Sequence, residues 1–174
     1  EKTVRITSNS EVYGHLTFEA GNNIESIEVD SINLHDSGSI SSTVPITVSN
    51  VAVQPQTTGK LTKVTISSNF NVSQSAALEL DECSLSSANL NINLFTYRSS
   101  NYDEPLLNGN FGELPRSISL NMQNEDSSSP SDNQEFLLFK GSFSPDCNKW
   151  ADAIDFSKTG FNDGVCRDLS EMRL

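Results

Sequence analysis

The chain has 174 residues, which fits a single domain with a substantial core, because two domains of this combined length would each be small. Its formal net charge is −12, from 11 Lys and Arg against 23 Asp and Glu, and it contains no basic run. A nucleic-acid backbone would therefore be repelled rather than bound. No apolar stretch is long enough to cross a bilayer, so we expect no membrane insertion.

The composition is dominated by small polar residues. Ser, Asn and Thr supply 57 of the 174 residues, and the apolar residues make up 35% of the chain. These apolar residues alternate regularly with polar ones instead of being scattered, as they would be in a disordered segment. The pattern predicts half-buried β-strands whose outer faces are rich in hydroxyl and amide groups.

Strand signals follow one another along the chain with turn residues between them. The first lies at residues 3–7, before a Ser-Asn-Ser spacer, and residues 1–9 are interpreted as a segment separate from the domain at 10–174. The remaining alternating or apolar segments lie at residues 12–18, 27–34, 44–53, 64–72, 78–80, 90–94, 118–122 and 136–139.

Two of these segments change parity partway along. Ile27 and Val29 share one face, whereas Ile32 and Leu34 share a face at shifted spacing, which predicts a bulge or kink near residues 30–31. The parity shifts again just past residue 50. Pro45 lacks a backbone donor, which favours an edge strand or the first residues of a strand.

The second half of the chain contains fewer strand signals. We interpret residues 99–115 as a long excursion and residues 124–133 as a mobile polar loop. Asp146 is expected to cap a short helix carrying Trp150 and Ile154. No internal repeat is evident, and about eight to ten short strands predict an all-β fold, a β-sandwich or jelly roll with a short C-terminal segment bracketed by a disulfide.

Three cysteines allow three pairings. We favour Cys147–Cys166, because both lie in a turn-rich tail, and closing that loop would stabilise it by roughly 3 kcal/mol. Cys83 is expected to be a small buried hydrophobe, with an intermolecular bridge as the alternative. A disulfide indicates an oxidising compartment, and a start at Glu1 favours a processed, secreted or surface-exposed product, with recombinant trimming as the alternative.

Residues with catalytic or metal-binding chemistry are sparse. His15 and His35 are the only histidines, each expected to be an ordinary polar residue, and neither zinc spacing nor a glycine-rich phosphate loop occurs. We therefore expect no enzyme, no catalytic residues and no cofactor. Calcium is a minority hypothesis based on the acidic pairs at 81–82, 103–104, 125–126 and 152/155.

One stretch resembles a known family. The segments Gly14-His15-Leu16-Thr17-Phe18 and 27–34, the turn at 36–38, and the segment 45–50 are similar to the opening of the TasA/camelysin-like biofilm-matrix proteins and related archaeal bundling pilins. The turn here is Asp-Ser-Gly, where that family tends to Pro-Gly-Asp. Residues 1–7 are also similar to the N-terminal donor strands of chaperone–usher pilins.

Both resemblances imply a subunit of an extracellular filament, pilus or matrix fibre. Its incomplete sandwich would be filled by the N-terminal strand of an identical subunit, through Thr3, Val4, Arg5, Ile6 and Thr7. An alternating segment next to an open sheet edge is consistent with that mechanism, and a head-to-tail contact of this kind generates a fibre.

The alternative is a monomeric secreted carbohydrate-binding or adhesin module. Tyr97, Tyr102 and Trp150 are candidate stacking platforms for sugar rings, although ordinary core packing is the favoured interpretation of these aromatics. A secreted hydrolase is a third hypothesis, since the spacing of carboxylate pairs in space is invisible in a sequence.

Overall fold

The computed structural model describes residues 2–98, 103–123, 129–130 and 136–174. These residues form fifteen strands and one short helix. In order they are β1 Thr3–Val12, β2 His15–Phe18, β3 Ser26–Leu34, β4 Ser39–Ser42, β5 Ile46–Val53, β6 Lys60–Thr62, β7 Val64–Ser73, β8 Leu78–Asp81, β9 Asn89–Leu94, β10 Leu107–Phe111, β11 Ser117–Met122, β12 Leu137–Phe143, α1 Cys147–Asp152, β13 Ile154–Lys158, β14 Val165–Arg167 and β15 Glu171–Arg173.

Successive strands alternate between two sheets. Sheet A holds the seven odd-numbered strands β1 to β13 in order, and every neighbouring pair in it is parallel. Sheet B holds β2 to β12 in the same order, also parallel, followed by β15 and β14. Each strand therefore pairs with the strand one coil away, and the chain winds as a parallel β-solenoid.

This architecture shows that the predicted β-sandwich or jelly roll is wrong. Those folds pair antiparallel strands by Greek-key connections. Here two neighbouring parallel strands of one sheet are connected in the sequence through a strand of the other sheet. The prediction failed because a solenoid strand, with one buried face and one solvated face, shows the same alternation as a sandwich strand. The expectation of no internal repeat is corrected as well, since each coil is one structural repeat.

Stacked aliphatic residues from the two sheets fill the core. In sheet A each inward position lies in register with the same position one coil away, so one apolar row runs through several coils. All its members are almost completely buried, and full burial of one such side chain is worth about 1.5–3 kcal/mol. The row consists of Leu34, Val53, Val72, Ile92 and Leu120.

The longer strands of sheet A bend in the middle, as their parity shifts predicted. In β3 the buried residues are Ile27 and Val29 before the bend and Ile32 and Leu34 after it. Strand β5 repeats this shift, whereas the buried residues of β7 keep one parity on both sides of three partly exposed positions. Register irregularities occur at the same level between β1 and β3 and between β5 and β7. Of the two predicted places for Pro45, the edge strand is wrong, because β5 lies between β3 and β7. Pro45 immediately precedes β5, at the start of the strand, where no ladder donor is required of it.

The C-terminal segment closes sheet B differently from the coils before it. Strand β15 pairs antiparallel with β12, and β14 pairs antiparallel with β15. Asp146 caps α1 by accepting a hydrogen bond from the Lys149 backbone N–H, as predicted. Trp150 is fully buried in α1, where it packs edge-on against Phe111, while Ile154 opens β13 and lies outside the helix.

Residues 99–115, expected to be an excursion without strand, contain β10. Its Gly109 lies directly opposite Gly141 of β12, and both have positive φ, 122° and 147°. A Cβ on Gly141 would collide with the backbone carbonyl of Gly109, and one on Gly109 with that of Leu80. Only glycine therefore allows the three strands to approach at this level.

We expect Gly141→Ala to destabilise the protein by about 3 kcal/mol or more, because the added methyl group meets backbone and not a movable side chain. Urea unfolding followed by circular dichroism measures the change. The matched control is Gly14→Ala, whose Cβ meets no atom within 4 Å. Equal midpoints for the two variants would contradict this account of sheet B.

The disulfide is expected to stabilise the C-terminal segment by about 3 kcal/mol, since it closes a loop between residues 19 apart. Replacing both Cys147 and Cys166 by Ala should lower the free energy of unfolding by that amount. Hydrogen exchange should show that amide protection is lost first in β14 and β15, while the amides of β5 and β7 are still protected. Uniform loss of protection along the chain would instead mean that the segment unfolds only with the whole solenoid.

Candidate binding face

The outer face of sheet A carries rows of small polar side chains that run across the strands. A first row follows the bend of the strands, and a second row lies two residues further along each strand. We call these two rows together the polar face. The first row is Ser31, Asn50, Asn69, Asn89 and Ser117, and the second is Asn33, Ala52, Asn71, Asn91 and Ser119.

Hydrogen bonds along each row hold these side chains in place. Asn69 donates from Nδ2 to Oδ1 of Asn50 at 3.0 Å, and Asn91 donates in the same way to Asn71 at 2.9 Å. Ser117 donates its hydroxyl to Oδ1 of Asn89 at 2.9 Å. Nδ2 of Asn69 also donates to Ser68 Oγ at 3.2 Å, and Nδ2 of Asn91 to the Asn89 carbonyl at 3.5 Å. The capacity that remains for solvent or a ligand is therefore mainly on the amide oxygens, each of which has two lone pairs, and on the serine hydroxyl groups.

The face is formed by the strand register. Parallel pairing places equivalent residues of adjacent coils about 4.8 Å apart, so equivalent side chains stack. The hydrogen-bonded partners above are 19, 20 and 28 residues apart in the sequence, which is the length of the coil between them. All these side chains are only partly exposed, which limits their motion.

The outer face of sheet B has a different character. Its central row contains two pairs of opposite charge: Lys60 lies 3.4 Å from Glu79, and Lys140 lies 3.6 Å from Glu171. These pairs are largely exposed and contribute little to stability individually. The two sheets therefore present different surfaces, one with neutral amide and hydroxyl rows and the other with paired charges.

A small cluster of polar and aromatic side chains lies at the β1 end of the second row. Glu11 accepts a hydrogen bond from Asn33 Nδ2 at 2.8 Å, and its other carboxylate oxygen contacts Nε2 of His35. The His35 ring stacks on Tyr13 with a centroid separation of 4.4 Å. The hydrogen bond from Asn33, followed by that with His35, lowers the pKa of the Glu11 carboxyl.

The residues predicted to be a donor strand lie within the same chain's sheet. Thr3, Val4, Arg5 and Ile6 pair in parallel with β3, and the hydroxyl groups of Thr3 and Ser26 lie 2.9 Å apart. Thr7 continues the same strand, which runs without interruption through the expected spacer at residues 8–10 and across the boundary placed between residues 9 and 10. Donation to a neighbour would require this segment to leave β3.

The predicted disulfide is confirmed, since Cys147 and Cys166 are bonded. The predicted burial of Cys83 is confirmed too: its thiol donates to the Leu61 carbonyl at 3.3 Å, and burial raises its pKa. His15 is exposed on β2, consistent with an ordinary surface residue.

Two of the three candidate stacking aromatics lie in the core. Trp150 is fully buried, and Tyr97 packs edge-on against Phe161 while its hydroxyl accepts a hydrogen bond from the Gly160 N–H at 2.7 Å. The favoured interpretation as core residues is therefore confirmed for both. Tyr102 and most of the expected loop at 124–133 fall outside the described residues.

Within the described ranges, no group of three or more His, Cys, Asp or Glu side chains is placed to hold a metal ion. The acidic pair at 125–126 belongs to the part of the chain outside those ranges. No helix in the described part of the chain is both long and apolar enough to cross a bilayer.

The sequence interpretation did not identify the polar face. A signal was present, because Asn recurs at 69, 71, 89, 91 and 93, with spacings of two within a strand and about twenty between strands. Spacing of two indicates one face of a strand. Without knowledge that the strands are parallel and in register, those asparagines cannot be assigned to common rows.

Comparison with known proteins gives no relative from which a function could be transferred: no family, no curated protein sequence and no solved structure matches the chain. A function for this protein therefore has to be inferred from its own residues.

The pKa of Glu11 should rise toward its ordinary value of about 4.3 in an Asn33→Ala variant, because the largest stabilising contact of the carboxylate is removed. A carboxyl-resolved NMR titration measures this, and Asn50→Ala, which alters an amide of the other row, should leave the Glu11 titration unchanged. Because the folded-state pKa is depressed, the contribution of this carboxylate to stability is present above its unfolded pKa and lost as the pH falls through the folded one. An identical Glu11 titration in the Asn33→Ala variant and the unsubstituted protein would contradict this assignment.

Proposed function

We propose that this chain is a non-enzymatic extracellular binding module whose polar face contacts a carbohydrate surface. The supporting observation is the double row of partly exposed amide and hydroxyl groups, interrupted only at Ala52 and held by their own hydrogen bonds on a parallel sheet. Secretion or cell-surface exposure belongs to the same proposal, and the Cys147–Cys166 disulfide supports it.

The chemistry of the polar face suits sugar hydroxyls. Each sugar hydroxyl is a donor and an acceptor, and so is each asparagine amide, so the two can pair without either bearing a charge. The middle of the face carries no charged residue in either row from residue 50 to residue 91. An anionic or cationic ligand would find no opposite charge there, whereas a neutral polysaccharide would need none.

Rigidity supports the proposal as well. A ligand that contacts a pre-ordered surface does not have to immobilise flexible side chains, which would cost about 0.5–1.5 kcal/mol for each. Here the row hydrogen bonds and the sheet already restrict the amides. Weak individual contacts repeated over several coils can then add up to useful affinity for a repeating polymer.

The experiment compares two double variants that each remove two amides. Asn71→Ala with Asn91→Ala alters the centre of the polar face, and Asn108→Ala with Asn110→Ala makes the same change on sheet B. A set of insoluble neutral polysaccharides is the probe, and binding is measured by co-sedimentation. We expect the sheet A variant to lose about tenfold or more in affinity, because two direct hydrogen bonds are lost, and the sheet B variant to bind as the unsubstituted protein does.

Equal loss in both variants would contradict the assignment to sheet A, and absence of binding to every polysaccharide tested would contradict the proposed ligand class. Unfolding midpoints must be measured in parallel, because Asn91 donates to Asn71 and their removal alone should cost about 1 kcal/mol.

The polymerising subunit remains the second candidate, and the observation that favours it is that no strand of the described residues pairs with the outer edge of β1. Residues 3–7 would exchange from β3 of their own chain to a sheet edge of a neighbour. Electron microscopy of the purified protein would show fibres, and deletion of residues 1–9 would abolish them while leaving the other coils folded. Unchanged fibres after that deletion would exclude the donor-strand mechanism.

A further inference from the structure

The end of the solenoid at β1 and β2 has unpaired strand edges. β1 and β2 are the terminal strands of sheets A and B, and no described strand pairs with their outer edges. Core-facing apolar side chains are also uncovered there: Val4 is 39% exposed, and Ile6, Leu16, Phe18 and Ile24 are only partly buried. Solenoids normally shield such ends with a polar cap, and an exposed edge is a template for further pairing.

The sequence of β1 is self-complementary when the strand is paired with itself in the antiparallel direction. With Ser8 at the centre, Arg5 lies opposite Glu11, Val4 opposite Val12, and Ile6 opposite Ser10. The Arg5–Glu11 pair joins opposite charges and the Val4–Val12 pair joins two β-branched apolar residues, and both favour association, whereas the Ile6–Ser10 pair adds no such match.

The bend in β1 preserves this match. Val4 and Ile6 on one side of the bend, and Ser10 and Val12 on the other, pair with buried residues of β3 and therefore face the core. Arg5 and Glu11 pair with the outward-facing Glu28 and Asn33, so both point outward. Residues brought opposite each other thus lie on the same side of the sheet, as cross-strand partners must.

We propose that a second copy of this chain covers this end, with the two β1 strands paired antiparallel about Ser8 to form a two-fold symmetric dimer. Arg5 of each copy faces Glu11 of the other, so two charge pairs form. Each extends an existing contact, because Arg5 already binds Glu28 at 2.9 Å and Glu11 already binds Asn33 at 2.8 Å. Negative and positive charges then alternate across the junction.

Head-to-tail stacking of copies is disfavoured by like charges that would meet at the junction. If β1 continued the parallel register of sheet A beyond β13, the row that contains Glu11 would place it opposite Asp155. Like charges directly opposite each other destabilise a sheet. Sheet B does not offer a parallel continuation either, since it ends in the antiparallel pair β15 and β14.

The dimer would double the length of the carbohydrate-binding surface, an inference that rests on the proposed function. Antiparallel pairing within one sheet keeps outward residues outward, so the polar faces of both copies point in the same direction. They would form one continuous surface of twice the length, and a polysaccharide chain could engage both copies at once. A two-fold contact of this kind is closed and does not grow into a fibre.

Charge reversal tests the pairing directly. Arg5→Glu places Glu opposite Glu11, and Glu11→Arg places Arg opposite Arg5, so each variant alone should dimerise about tenfold or more weakly than the unsubstituted protein. Mixing the two variants restores both pairs, because one copy then carries two acidic and the other two basic groups. We expect the mixture to form a heterodimer of about twice the 19.0 kDa monomer mass, measured by analytical ultracentrifugation.

Several outcomes would overturn the proposal. One is a monomeric mass for the unsubstituted protein at all micromolar concentrations; another is growth beyond two copies, which indicates polymerisation. Failure of the mixed variants to associate, although each is folded by circular dichroism, also overturns it. Polysaccharide binding by the monomeric variants, if retained at single-face affinity, shows that the proposed function stands without the dimer.

Discussion

Parallel pairing between equivalent strands of successive coils is the constraint on which the rest of this structure depends. Between neighbouring strands of sheet A, backbone N–H and C=O groups pair with a strand about twenty residues away in the central coils, so the position of one coil fixes the position of the next. Register then determines what every side chain meets. Ile32 lies over Val51 and Phe70 in the core, while Asn50 lies beside Asn69 at the surface.

The same constraint sets strict limits at close contacts. Neighbouring strands are about 4.8 Å apart, and where the backbone turns toward its neighbour there is no space for a side chain. Gly109 and Gly141 lie at such a level. At the C-terminal end the parallel order is replaced by an antiparallel pair, and a disulfide and a buried tryptophan hold that closure in place.

Both proposals follow from repetition. A solenoid that repeats its core must also repeat its surface, and asparagine and serine repeated on sheet A give a neutral surface rich in hydrogen-bonding groups. Repetition also leaves an unpaired strand at the first coil. The order of charges along β1, with Arg5 and Glu11 equidistant from Ser8, makes a second copy of the same strand a fitting partner for that edge.

The sequence by itself determined the strand-dominated content, the parity shift near residues 30–31 and the Asp146 cap, and it favoured Cys147–Cys166 among three possible cysteine pairings. These depend on local stereochemistry or on few alternatives, which a sequence displays directly. The tertiary structure alone decided the direction of strand pairing and the rows of the polar face. Alternation is identical in parallel solenoid strands and antiparallel sandwich strands, because both have one wet face. Which residues share a row depends on hydrogen bonds between segments 19 to 28 residues apart, whose register no local pattern encodes.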